Sequence, residues 1–177
     1  MNTTVNTKQG AIQGAWSQDG KTAVFRGVPY AQPPVGDLRF RRPQEHQPWE
    51  GTLDCTQFSP RCPQADLTVM DFYSKEFYDD MVPPESEDCL YLNIWTPAGA
   101  QPGDKLPVLF WIHGGACMHG CGTETEFDGE GMAKKGVILV TINYRVNVFG
   151  FFAHPDLEAE TEEGVSGNYG ILDQIFA

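Results

Sequence analysis

Val108-Leu109-Phe110-Trp111-Ile112-His113-Gly114-Gly115 and, after a short intervening stretch, Val137-Ile138-Leu139-Val140-Thr141-Ile142 decide how this chain reads. Each begins as a continuous apolar run of about strand length, the pattern of a strand buried on both faces. Between them Glu126 to Lys135 predicts a short helix starting near Thr125, with Lys134 and Lys135 at the end where the helix dipole favours cations. Strand, loop, helix and strand make a βαβ unit, and with it an α/β architecture. Upstream, Leu90 to Trp95 alternates as a half-buried strand does.

The flanking regions have other textures. Asp19-Gly20 predicts a tight hairpin between Ala11–Trp16 and Thr22–Gly27. From Val28 to Pro63 the recurring prolines, Pro33-Pro34 among them, and the Gly36-Asp37 turn predict irregular surface chain. Glu158 to Glu163 reads as an exposed acidic loop, and Ile171 to Ala177 as the start of a helix. Ile171, Leu172, Ile175 and Phe176 would face a core that residues 1–177 do not complete, so the sequence reads as cut.

The 24 acidic and 12 basic side chains of the 177 residues leave a formal charge of −12. Without a basic excess there is nothing to displace counterions from phosphates, which argues against a nucleic-acid partner. The longest apolar stretch, Leu106 to Ile112, is interrupted by Pro107 and falls far short of the ~20 residues of a spanning helix, so no membrane partner is expected. Met1 to Lys8 has neither a basic segment nor an apolar segment of the secretory kind, which points to the cytoplasm. Five cysteines, an odd number, read as reduced thiols in such a compartment.

His113-Gly114-Gly115-Ala116-Cys117 follows the first apolar run. Two glycines at a strand end let backbone amides turn toward a ligand, as an oxyanion hole requires, though a glycine-rich turn that merely closes a strand has the same letters. His113, Cys117, His119 and Cys121 lie within nine positions and raise a zinc reading. Structural zinc sites usually take two ligand pairs from separated segments, so no metal is expected.

Longer motifs carry a family resemblance. Phe25-Arg26-Gly27-Val28-Pro29-Tyr30-Ala31, Pro33-Pro34-Val35-Gly36 with Arg39-Phe40, and Ser86-Glu87-Asp88-Cys89-Leu90-Tyr91-Leu92-Asn93-Ile94 precede the glycine loop. Asn143-Tyr144-Arg145 and Gly167-Asn168-Tyr169-Gly170-Ile171-Leu172-Asp173-Gln174 follow it. In this order, over nearly the whole chain, they resemble the type-B carboxylesterases, relatives of cholinesterases and bacterial para-nitrobenzyl esterases. The resemblance implies the N-terminal part of an α/β-hydrolase fold: a small β-hairpin region, then strands of a mixed, mostly parallel sheet. It implies one such domain over 1–177, truncated before the nucleophile elbow, and hydrolysis of small carboxylic esters through a serine acyl-enzyme.

The resemblance also distributes roles. A G-x-S-x-G elbow is absent; Ser166, in Gly164-Val165-Ser166-Gly167-Asn168, has its second glycine one position early. The triad would lie beyond Ala177, and 1–177 alone would be inactive. The oxyanion donors would be the amides of Gly115 and Ala116 or of Gly114 and Gly115, with His113 supporting the loop. Cys117 and Cys121 depart from the family's usual Phe and Ser and would line an acyl pocket. Cys62 and Cys89 occupy the positions of a cholinesterase disulfide loop, here either two unpaired neighbouring thiols or, for Cys62, mere burial. The segment between them carries Phe72, Tyr73, Phe77 and Tyr78 and lacks the tryptophan that stacks on choline, so uncharged, aryl-tolerant esters fit better. Arg39 with Glu87, and Arg145 with Asp173, would be structural ion pairs. A non-catalytic cholinesterase-like binding module is the alternative, separated from an enzyme by the residue inside the elbow.

Overall fold

The computed structural model describes residues 3–65, 76 and 82–177. Eight strands form two sheets. The smaller has the order β1 (Thr4–Asn6), β2 (Ala11–Gln13), β5 (Thr52–Asp54), with β1 antiparallel and β5 parallel to β2. The larger runs β3 (Ala15–Trp16), β4 (Thr22–Pro29), β6 (Tyr91–Pro97), β8 (Ile138–Ile142), β7 (Val108–Ile112). Helices α1 (Glu130–Ala133), α2 (Asn147–Phe151), α3 (Pro155–Ala159) and α4 (Tyr169–Phe176) complete the described elements. None of these helices is long and apolar enough to cross a membrane.

The hairpin forms at Asp19-Gly20, but over a shorter span than its flanking residues suggest. Only Ala15 and Trp16 pair with β4, while Ala11–Gln13 leaves for the small sheet. Gly14 is the point of divergence, where an added Cβ would sit 2.5 Å from the Val24 carbonyl oxygen. Asp19 Oδ1 accepts from Ser17 Oγ and from the Lys21 amide and so closes the turn. A bulge at Arg26-Gly27 then shifts the β4–β6 register, and the freed Arg26 amide takes the Cys55 carbonyl at 2.7 Å.

The larger sheet is mixed: β3–β4, β4–β6 and β6–β8 are antiparallel and β7–β8 is parallel. Parallel neighbours need a crossover of a dozen or more residues, and of these pairs only β7 and β8 are joined by a helical one. That crossover is also broken up. Thr125–Phe127 is a 3₁₀ turn, and α1 starts afresh with Asp128 Oδ1 accepting from the Glu130 amide. Gly129 between them lies against the Trp95 ring, where a side chain would collide.

β6 and β8 hold the core. Trp95 packs with Val24, Leu139 and Ala133 under α1, while Ile142, Tyr144, Val146, Leu90, Cys62 and Cys89 form a second cluster. Ile12, Ala23, Phe25, Val28 and Cys55 fill the space between the sheets. Cys55, Arg61 and Cys62 are buried, so the irregular chain from Val28 to Pro63 is partly core and not simply surface. Within residues 1–177 β7 is the edge strand, and its five residues are 39 to 59% exposed.

Both expected ion pairs form. Arg39 grips Glu87 with two bonds, 2.5 and 2.7 Å, at the surface. Arg145 and Asp173 are buried, with the Arg145 amide, Nε and Nη2 all donating to the carboxylate at 2.7 to 3.0 Å. Removing one partner of such a pair strands a buried charge. Asp173→Ala is therefore expected to lower the unfolding free energy by about 3–5 kcal/mol in urea titration, against less than about 1 kcal/mol for Glu87→Ala at the exposed pair.

Candidate functional site

The glycine loop leaves the end of β7 and returns to the sheet at Gly122. Gly115, Ala116 and Cys117 are consecutive residues in the left-handed region, with φ of 112°, 53° and 61°. For Ala116 and Cys117 that conformation costs about 1–2 kcal/mol each. Within the loop, the Gly115 carbonyl accepts from the amides of Met118 and His119 at 2.9 and 3.2 Å. Gly115 has no alternative residue: a Cβ there would lie 2.0 Å from the His119 carbonyl oxygen.

Among the described residues the amides of Gly114, Gly115, Ala116 and Cys117 donate to no acceptor. Gly114, Ala116 and Cys117 are exposed, and the space beside Gly114 is open. The loop therefore carries several N–H donors that no intrachain acceptor engages.

The other side of the loop is bound to the body. Tyr144 donates its hydroxyl to the His113 carbonyl at 2.9 Å, and its ring stacks on the His113 imidazole with centroids 4.3 Å apart. The Asn147 amide donates to the Cys117 carbonyl at 2.7 Å, and Asn147 Nδ2 to Pro63 O at 2.7 Å. At Gly122, Asn143 Oδ1 accepts the amide while Thr141 Oγ1 and Asn93 Nδ2 donate to the carbonyl. Gln64 holds both backbone groups of Gly120. These polar partners were not legible as site residues in the sequence. Asn93, Asn143 and Tyr144 sit in matched motifs, but nothing there ties them to the loop.

His113 is buried, and its Nδ1 lies 2.8 Å from the Gly114 carbonyl oxygen, so Nδ1 carries the proton. Burial pushes the imidazole down to about 4, which keeps it neutral near pH 7. Ser166 has no catalytic surroundings: in the loop before α4, its Oγ bonds the His154 main chain and Glu158, not the His154 ring.

The four zinc candidates disperse. Cys117 is exposed, Cys121 is buried with its Sγ 3.1 Å from Thr123 Oγ1, and no three His, Cys, Asp or Glu among the described residues converge as a metal site. Cys62 and Cys89 are unbridged thiols in hydrogen-bonding contact, and that contact with burial drives the Cys89 thiol upward. Phe72, Tyr73, Phe77 and Tyr78 lie outside the described residues.

The carboxylesterase family model matches residues 1–177. The chain belongs to the carboxylesterase family. It is 43% identical over 172 residues to fumonisin B1 esterase of Sphingopyxis macrogoltabida, covering 97% of this chain and 30% of that protein. Para-nitrobenzyl esterase of Bacillus subtilis is 40% identical over 175 residues, 98% of this chain and 33% of its own length. Among solved structures, a PNB esterase superposes with a TM-score of 0.83 at 38% identity, over 99% of this chain and 34% of that one. The carboxylesterase EST55 of Geobacillus stearothermophilus at pH 6.8 gives 0.80 at 40%, over 98% and 33%. The fold is thus that of an α/β-hydrolase, of which this chain spans about a third of the length of the relatives it matches.

Two measurements probe this site. With thiol reagent under native conditions one cysteine per chain, Cys117, is expected to react rapidly, and all five after unfolding. For His113, the folded pKa near 4 lies below the ordinary 6.5, so the unfolded chain binds the extra proton between these values. Stability should fall as pH drops through that window, by roughly 3 kcal/mol in all, and His113→Gln should flatten this part of the profile in thermal melts.

Proposed function

We propose that this chain supplies the oxyanion-binding portion of a serine carboxylesterase, within a single α/β-hydrolase domain. The observation that carries the reading is the row of unengaged amides from Gly114 to Cys117, in a loop anchored through the carbonyls of His113, Gly114 and Cys117. In ester hydrolysis by an acyl-enzyme, a serine attacks the carbonyl carbon, and the carbonyl oxygen gains charge as the tetrahedral intermediate forms. Amides already in place stabilise that charge without reorganising, and the loss of one such donor typically costs ~3–4 kcal/mol. The Gly115 and Ala116 amides, or those of Gly114 and Gly115, take this role. Neutral His113 fixes the loop and does not transfer protons.

The nucleophile, acid and catalytic histidine come from outside residues 1–177, which contain no G-x-S-x-G. The substrate is a small, uncharged carboxylic ester, and the chemistry needs neither metal nor organic cofactor. The acidic surface fits neither a nucleic-acid partner nor an anionic membrane, and the site of action is the cytoplasm. Cys117, exposed next to the free amides, lines the acyl side.

The test is a chimera in which residues 1–177 precede the remaining two-thirds of the Bacillus subtilis para-nitrobenzyl esterase, assayed on short-chain aryl esters. It is expected to turn over with sensitivity to a serine-directed inhibitor, whereas residues 1–177 alone are not. Gly115→Ala, which must displace the loop, should lower the chimera's kcat by about 100-fold or more in a protein that still folds, as checked by circular dichroism. Activity within a few-fold of the parent chimera would overturn the oxyanion assignment.

A further inference from the structure

Gln64 lies on the segment that follows Cys62, far from the glycine loop in sequence. Its Oε1 accepts from the Gly120 amide at 2.7 Å, and its Nε2 donates to the Gly120 carbonyl at 3.1 Å. The same Nε2 donates to the Cys62 carbonyl at 2.9 Å, and Cys62 belongs to the core cluster of Leu90, Ile142 and Val146. One side-chain amide thus grips both backbone groups of a loop residue and is itself anchored to the core.

Gly120 in turn sits directly on the pair that aims the loop. With φ of 106°, it approaches so closely that an added Cβ would be 2.5 Å from His113 Nδ1 and 2.6 Å from the Gly114 carbonyl oxygen. His113 Nδ1 holds that oxygen at 2.8 Å. In a trans peptide the C=O and the following N–H point in opposite directions, and there is no cis peptide among the described residues. The direction of the Gly114 carbonyl therefore dictates where the Gly115 N–H points.

We infer that Gln64 is a positioning residue for the amide row: by clamping Gly120 against His113 and Gly114, it sets the direction of the Gly115 N–H. The catalytic consequence rests on the oxyanion reading above; the clamp itself does not. Gln64→Leu removes all three hydrogen bonds at similar volume. Gln64→Glu keeps an acceptor for the Gly120 amide, but as a carboxylate it faces the Gly120 and Cys62 carbonyls with no proton to donate; protonated, it regains one donor.

Hydrogen exchange of the 177-residue chain reads this through the Met118 and His119 amides, whose own bonds close inside the loop on the Gly115 carbonyl. In Gln64→Leu they should exchange about tenfold faster or more, the scale of one or two net hydrogen bonds, with β6 and β8 amides unchanged. In Gln64→Glu they should be loose at pH 7 and recover toward the parent, compared at equal pH, as the carboxylate protonates. In the chimera, Gln64→Leu should lower kcat with KM nearly constant. Unchanged loop exchange in Gln64→Leu, or equal loss of protection in β6 and β8, would overturn the clamp. If Gly115→Ala leaves the chimera active, the oxyanion reading falls while the exchange result still decides the role of Gln64.

Discussion

The Gly122 backbone is where the strands and the loop are joined. Asn93 from β6 and Thr141 from β8 both donate to its carbonyl, and Asn143, just past β8, accepts its amide. The same Asn93 accepts from the Gly27 amide at the β4 bulge, and Asn143 donates to the Pro60 carbonyl. Three buried polar side chains therefore link β4, β6, β8, the irregular chain near Pro60 and the end of the glycine loop. In such a low-dielectric place each unmade bond costs about 1–3 kcal/mol. The network thus specifies one arrangement, where apolar packing alone would tolerate several.

Holding the loop from behind is what makes its strained conformation tenable. Ala116 and Cys117 in the left-handed region are costly, and Gly115 is wedged against His119. Bonds from Tyr144, Asn147 and Gln64 to the carbonyls of His113 and Cys117 and to both backbone groups of Gly120 offset that cost. The amides of residues 114–117 are left over because of this division. The loop is anchored through its carbonyls while these amides stay open.

Charge plays a smaller part in stability than its abundance suggests. Lys8–Glu45, Arg39–Glu87, Arg41–Glu160 and Arg42–Glu163 are substantially exposed, the setting in which ion pairs contribute little. Arg145–Asp173 differs because both partners are buried, and it ties the residues after β8 to α4. What the surface pairs leave is an acidic exterior with net charge −12.

The sequence by itself determined the α/β class, the hairpin turn, the two ion pairs and the location of the glycine loop. The class, the turn and the loop follow from short-range pattern and turn chemistry, which are local, whereas the ion pairs, between residues 48 and 28 positions apart, follow from the family resemblance. It did not determine which apolar runs are covered. Val108–Ile112 and Ile138–Ile142 look alike, yet within residues 1–177 β8 lies between two strands and β7 beside one, because burial depends on a strand's place in the sheet order. Nor could it show that 126–135 divides into a 3₁₀ turn and a helix from Glu130, that Gly129 lies against the Trp95 ring, or that 28–63 buries Cys55, Arg61 and Cys62. Gln64, Asn93, Asn143 and Asn147 are ordinary amides until the chain folds. Only the tertiary structure brings them to the glycine loop, because their partners are backbone groups whose directions come from φ and ψ and have no signature in the side-chain sequence.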